Sequence, residues 1–187
     1  MIANRSSGRQ GFAIAAAAAA AGARVTLVAG PVALATPTGV DRIDVETAEQ
    51  MAGAVFAALP ADASILVAAV ADWRVERSSI KLKKSAGPPQ LRFTATRDIL
   101  AELSASSSRP TLVVGFAAET DNVIAAAVEK RRRKGADWIV ANDVSGDAMG
   151  GPRNRVHLIT GDVEDWPEMS KEEVARRLVA RIAQALG

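Results

Sequence analysis

Asn4-Arg5-Ser6-Ser7-Gly8-Arg9-Gln10-Gly11 runs straight into an alanine-rich stretch, Phe12 to Ala21. Small hydroxyl and glycine residues ahead of a helix are what an anion site requires. The first helical N–H groups have no intrahelical partner and point beyond the helix end. Ser6, Ser7 and Gly8 would let a ligand's oxygens approach them. A second set of polar residues follows apolar runs. Asp72 comes after Ser64–Val70, Glu119 after Thr111–Phe116, and Asn142 and Asp143 after Trp138–Ala141. If those runs are parallel strands, the four side chains ring one crevice at the strands' carboxyl ends, where such sheets bind ligands. That suits a ribose, a magnesium ion, or both. Asp and Asn after strands also cap the next helix, which is the blander role open to each.

The basic residues fall into two groups. Lys81-Leu82-Lys83-Lys84 lies in a polar segment, where alternation puts Lys81 and Lys83 on one side. A solvated edge that deters aggregation explains them equally well. Lys130-Arg131-Arg132-Arg133-Lys134 ends a helix, where cations complement the helix dipole. Lys130 and Lys134 share a helical face and could clamp a triphosphate.

The elements that must position these residues alternate. Helix Gly11–Ala21 leads through Gly22 to strand Arg24–Ala29. Gly30-Pro31 and Thr36-Pro37-Thr38-Gly39 are loops, and Val40–Val45 is a short strand. Thr47 caps a helix that stops at Pro60. Ser64–Val70, Thr111–Phe116 and Trp138–Ala141 read as strands covered on both faces. Ile80 to Phe93, broken by Gly87-Pro88-Pro89, reads as a projecting β-arm. Asp98–Ser104 and Asn122–Lys134 are helices, and Arg155–Thr160 is a strand. Ser170 opens a last amphipathic helix with the capping box Ser170-Lys171-Glu172-Glu173. The fold class is α/β: a Rossmann-like, doubly wound, mostly parallel sheet with a projecting β-arm. The chain starts where such a fold is already one strand deep, and so reads as a fragment or a mis-started reading frame.

Composition narrows the chemistry. The 187 residues fit one domain. Hydrophobic residues make up 49%, much of it alanine, and aromatics only 4%, which favours closely packed helices on a sheet. A net charge of +2 gives no global pull toward nucleic acid. There is no cysteine, hence no disulfide or thiolate chemistry, and the single His157 excludes a multi-histidine metal site. The run Ala13–Ala21 is too short to span a membrane. A cytoplasmic location is expected.

Taken together, Asn4–Ala15, Val25–Val32, Ala68–Arg74, Lys81–Lys84, Val114–Thr120 and Ala141–Val144 closely resemble phosphopantothenate–cysteine ligase. In bacteria this is commonly the C-terminal half of a bifunctional coenzyme A biosynthesis protein. The resemblance covers essentially the whole chain, in order. It implies a single ligase domain over residues 1–187, a homodimer, and a flavin-dependent decarboxylase domain upstream in the full-length protein. It implies CTP as co-substrate with Mg2+, and 4′-phosphopantothenate and L-cysteine as substrates. No nucleic acid or membrane is a partner, and the metal ligands are left open.

Residue roles follow only from the resemblance. Asn4 and Lys81 match catalytic positions, Asn4 engaging an acyl-cytidylate and Lys81 sitting on the mobile arm that closes over the nucleotide. Val67, Ala68, Ala69, Asp72, Phe116, Lys130 and Lys134 match nucleotide-contacting positions. Arg97-Asp98-Ile99-Leu100 matches a nucleotide-binding loop usually written Asn-Pro-Asp-Ile, although Thr96-Arg97 replaces the Asn-Pro. Asn4, Ala69 and Lys81 match positions that hold phosphopantothenate. The family also has a first strand, a Gly-Gly-Thr-type loop and an Asp-x-Val-Arg segment before Asn4, so part of the pocket is expected to be missing here. Two other functions stay open. A nicotinamide-dependent oxidoreductase would need Gly-x-Gly-x-x-Gly after a strand, where this loop has only Gly8 and Gly11. An inactive, nucleotide-binding remnant of the ligase is the other.

Overall fold

The computed structural model describes residues 6–76, 91–119, 121–143 and 153–187. Asn4, Lys81, Lys83, Lys84, Thr120, Val144 and most of the expected arm lie outside them. The elements run α1 (Arg9–Ala20), β1 (Val25–Ala29), β2 (Val40–Asp44), α2 (Ala48–Ala57), β3 (Ala63–Leu66), β4 (Trp73–Val75), β5 (Phe93–Ala95) and α3 (Ile99–Ala105). They continue β6 (Leu112–Glu119), α4 (Val123–Lys134), β7 (Trp138–Asp143), β8 (Arg153–Ile159), β9 (Val163–Ser170) and α5 (Lys171–Leu186).

The central sheet has the order β3-β6-β7-β8-β9. Strands β3, β6 and β7 are parallel, whereas β8 and β9 turn back antiparallel. A separate parallel pair, β1-β2, and an antiparallel ribbon, β4-β5, complete the strands. Alternation along each strand divides the apolar side chains between two cores. Val114, Val140, Val156 and Leu158 join Ile14 of α1 and Val174, Leu178 and Ile182 of α5 on one face. Val113, Ala117, Ile139, Ala141 and Ile159 join Leu100 and Leu103 of α3, Ala127 of α4, and Val55 and Phe56 of α2 on the other. Gly115 lets α3 press against the sheet: a Cβ there would lie 2.7 Å from Leu100 Cδ2 and 2.8 Å from Ile139 Cδ1.

Both predicted caps form. Thr47 with Gln50, and Ser170 with Glu173, make reciprocal capping boxes. The sequence reading differs from the structure at three places. The apolar run Ser64–Val70 is strand only to Leu66; Ala68 and Ala69 are exposed as the chain leaves the sheet. An unbroken apolar run carries no period to mark where a strand stops. Trp73 and Arg74, given no element from the sequence, form the ribbon strand β4. The strand β9 was not expected at all. It carries Glu164, Asp165, Pro167 and Glu168, and buries Trp166, which is 1% exposed. Edge strands tolerate proline and charge, which hides them from a hydrophobic pattern. The lone His157 is buried and meets Asp165 across the β8–β9 pair, Nδ1 to Oδ1 at 2.5 Å.

Candidate functional site

The site is built at the carboxyl ends of β3 and β6. Leu66 pairs with Gly115, so Val67 leaves β3 beside Phe116, which continues β6 and pairs with Val140; β6 runs on to Glu119, beyond the expected end at Phe116. A Cβ on Gly11 would lie 3.8 Å from Val67 Cβ, so the first turn of α1 closes on the same point. Val67 and Phe116 are half-buried, and Ala68 and Ala69 present their backbone at the surface.

From Val67 the chain reaches the ribbon. The Thr96 N–H donates to the Asp72 carbonyl at 2.9 Å, and the Thr96 hydroxyl donates to the Ala71 carbonyl. These bonds hold exposed Asp72 beside the segment that enters α3. In that segment Arg97 pairs with Glu102, reaches Glu49 at 3.5 Å, and lies over the Phe56 ring at 5.6 Å. It thus fastens the loop to α2. Asp98 caps α3, accepting from the Ala101 N–H at 3.2 Å, and also pairs with Lys134 of α4. Partial burial pushes the Asp98 carboxyl up, but the hydrogen bonds from Lys134 and Ala101 and the charges of Lys134 and Arg133 leave it below its ordinary value. Ile99 and Leu100 are core residues, so only their backbone can face a ligand. Lys130, one turn before Lys134, donates to the Phe116 carbonyl at 2.9 Å.

Val67, Ala68, Ala69, Asp72, Arg97, Asp98, Phe116, Lys130 and Lys134 are therefore linked through neighbouring strand ends, the ribbon and α4. Asn142 sits further along, on β7, paired with Ala118. Its buried Oδ1 has no hydrogen-bond partner among the described residues. The side chains of Glu119 and Asp143 are not described, although their backbones pair with each other across β6 and β7. Among the described residues, no group of three or more His, Cys, Asp or Glu side chains could hold a metal ion.

The N-terminal end of α1 is held by residues that the sequence reading gave no role. Gly8 has φ +71° and caps the helix without a side-chain bond. The space a Cβ would take there is filled by Val32 Cγ1 at 3.1 Å and Leu34 Cδ1 at 3.3 Å. Arg42 clasps that loop, donating to the Leu34 carbonyl at 2.6 Å and the Val32 carbonyl at 3.3 Å, while it pairs with Asp44 and lies over the Phe12 ring. On the other side Gln10 is buried. Its Nε2 donates to the Lys171 carbonyl and its Oε1 accepts from Asn154 Nδ2, both at 3.1 Å. The N-termini of α1 and α5 therefore lie together. Burial lowers the Lys171 pKa, and the Arg9 charge lowers it further. Gln10 stood inside the recognised motif, but no spacing signals a partner 144 residues away.

Residues 1–186 match the family described as DNA/pantothenate metabolism flavoprotein C-terminal domain. It is 43% identical over 185 residues to the coenzyme A biosynthesis bifunctional protein CoaBC of Escherichia coli strain K12, covering 95% of this chain and 46% of that protein. It is 48% identical over 153 residues to the protein of the same name from Vibrio parahaemolyticus, covering 80% of this chain and 38% of that one. The chain thus spans less than half the length of these relatives. The crystal structure of the C-terminal domain of a coenzyme A biosynthesis bifunctional protein CoaBC superposes with a TM-score of 0.82 at 37% identity, over 98% of this chain and 85% of that one. By family match, identity and fold, this chain belongs to the DNA/pantothenate metabolism flavoprotein C-terminal domain family.

Proposed function

We propose that the chain is the phosphopantothenate–cysteine ligase domain of a coenzyme A biosynthesis protein, using CTP. The observation that carries this reading is the convergence of Val67, Phe116, Lys130 and the Asp98–Lys134 pair at adjoining strand ends, in a chain of this family. The carboxylate of 4′-phosphopantothenate attacks the α-phosphate of CTP, forming an acyl-cytidylate and releasing pyrophosphate. The amine of L-cysteine then attacks the acyl carbon and CMP leaves.

The first step brings a carboxylate against a polyanion, so fixed cations must offset the charge. Lys130 and Lys134 fit that task because both are fixed on one face of α4, Lys130 by the Phe116 carbonyl and Lys134 by Asp98, which sets where their ammonium charges stand. Val67–Ala69 offer backbone groups to the nucleotide and Ala69 to phosphopantothenate. Asp72, Arg97 and the backbone of Ile99 and Leu100 border the nucleotide. Asn4 and Lys81 take the roles that the resemblance gives them, Asn4 on the intermediate and Lys81 over the phosphates. The described residues do not form a protein-built metal cage. Mg2+ fits instead as part of the nucleotide salt, held by phosphate oxygens and water.

Trp73, Leu91 and Phe93 are 57%, 53% and 51% exposed on and beside the β4-β5 ribbon. Such side chains suit a second copy of the chain, giving a homodimer with the ribbon at its interface. The upstream decarboxylase domain of the full-length protein belongs to the same proposal. Among the described residues no helix is long and apolar enough to cross a membrane.

The test is release of pyrophosphate from CTP, dependent on phosphopantothenate and Mg2+, followed by cysteine-dependent release of CMP. Equal or better turnover with ATP would overturn the choice of nucleotide. Thermal stabilisation by NADPH and not by CTP would overturn the ligase. CTP binding without turnover, in this chain and in a longer one, would leave an inactive remnant.

A further inference from the structure

Three consecutive residues ahead of α3 are fastened to three different elements. Thr96 is held by the Ala71 and Asp72 carbonyls just before β4, and Asp98 by Lys134 of α4. Between them Arg97 turns toward α2. Its Nε donates to both Glu102 oxygens, at 2.9 and 3.2 Å, and its Nη2 donates to one of them. Its Nη1 reaches Glu49, in the first turn of α2, at 3.5 Å, and its guanidinium lies over the ring of Phe56 near the other end of that helix. Phe56 packs against the core that holds Leu100 and Leu103, so the arginine is laid on the same helix that supports α3 from below. One cation stands between two carboxylates. The cluster is net negative, and its guanidinium has no surplus charge to offer an anion.

We propose that Arg97 is a positioning residue: it latches the segment Thr96–Leu100 to α2 and sets nucleotide affinity through that segment's backbone, while its own side chain binds no nucleotide. The proposal rests on the nucleotide-binding reading given above. Two anchors, at Thr96 and Asp98, leave a segment free to pivot about the line between them. A third anchor, pulling toward another helix, fixes its orientation. What the orientation presents is backbone, because the side chains of Ile99 and Leu100 are in the core. Arginine suits the task because its planar fork of N–H groups meets a carboxylate while its flat face covers a ring. Lysine, a point charge on a flexible stem, cannot do both. Ion pairs that solvent reaches add little to global stability. The effect of this one therefore belongs to the order of the segment and not to the fold as a whole.

Hydrogen exchange on the ligand-free chain reads the latch by itself. Arg97→Met should speed exchange of the Thr96, Ala101 and Glu102 amides about 10-fold or more, with the amides of β7 as unchanged controls. Arg97→Lys should do nearly the same. Unchanged exchange in Arg97→Met, or equal acceleration in β7, overturns the proposal. Titration calorimetry with Mg–CTP reads the consequence. A segment that holds the binding shape only part of the time weakens binding by that fraction, so Kd should rise about 3- to 10-fold in both variants. Faster exchange with an unchanged Kd overturns the proposal, as does full affinity in Arg97→Lys. The double variant Glu49→Gln with Glu102→Gln sets the two roles of Arg97 against each other. It removes two negative charges near a site for an anion and frees the guanidinium. If Arg97 were a phosphate ligand, CTP would bind more tightly. If it is a latch, CTP binds more weakly, and tighter binding overturns it. Should the unaltered chain bind no CTP, the nucleotide reading falls and with it the control of affinity, whereas the exchange data still pass or fail the latch on α2.

Discussion

Two sets of strands, β6-β7-β8 within the central sheet and β1-β2 with the edge strand β3, are buried to different degrees. In β6, β7 and β8, Val113, Val114, Ile139, Val140, Val156 and Leu158 are fully buried, and helices cover both faces. In β1, β2 and β3 only Ala29 is buried; the other residues are half-buried or exposed. The same kinds of β-branched and aliphatic residue occur in both. The difference is therefore not in strand propensity but in neighbours: a strand protects its apolar side chains only when strands flank it and helices cover it. The candidate site lies between them, with Phe116, Lys130 and Lys134 on the buried side and Val67, Gly8 and Gly11 on the half-buried one.

Equal truncations should expose that difference. Trp166→Ala removes the largest fully buried side chain and should cost about 3–5 kcal/mol in urea unfolding. Leu27→Ala, in half-buried β1, should cost less than about 2 kcal/mol, because part of its surface is already wet. Similar losses at both positions would erase the contrast.

Gly115→Ala tests whether the buried set governs the site. The new methyl collides with Leu100 and Ile139, so about 1–3 kcal/mol should be lost to overpacking. Leu100 lies two residues after Asp98, so CTP affinity should fall along with stability. Lost stability with unchanged nucleotide affinity would separate the core from the loop.

What was legible in the sequence follows the same division. The β6 and β7 runs, both capping boxes and the basic end of α4 could be read because each is a local pattern. β9 escaped because its burial rests on one residue, Trp166, among charges. The end of β3 escaped because a continuous apolar run hides its boundary. The individual site residues were legible only through resemblance. Nothing local pairs Asp98 with Lys134, 36 residues on, or sends Gln10 to Asn154. The clasp made by Arg42 escaped because it holds Val32 and Leu34 by their carbonyl groups, which every residue possesses.

Arg42→Met probes the half-buried set directly. It keeps much of the apolar stem but removes the donors that hold the Val32 and Leu34 carbonyls against Gly8. About 1–2 kcal/mol of stability should go, the scale of lost charged hydrogen bonds at a half-buried site. If the loop serves only the fold, any activity should fall no further than the folded fraction does. A larger fall would mark Arg42 as positioning the N-terminal end of α1.

The smallest expected effect lies at Asp98, and it has a sign that pH can check. The folded carboxylate has a pKa below its ordinary 3.8, held there by the Lys134 and Ala101 hydrogen bonds against partial burial. A depressed carboxylate pKa contributes stability above the unfolded value and loses it as pH falls through the folded one. At neutral pH Asp98→Asn should therefore be less stable, by no more than about 1 kcal/mol for a pair that solvent still reaches. The gap between the two proteins should close as the pH drops below about 4, where the native carboxyl takes up its proton. Asparagine can still cap α3, so the change isolates the Lys134 contact. A gap that stays constant into acid would mean that capping, not charge, is what Asp98 supplies. The same variant bears on the site, because Asp98 is what aims Lys134 along α4. If the lysine binds nucleotide only when so aimed, CTP affinity should drop for Asp98→Asn at neutral pH although a negative charge has been removed from a site for an anion. Tighter CTP binding would instead show Asp98 competing with the phosphates for Lys134.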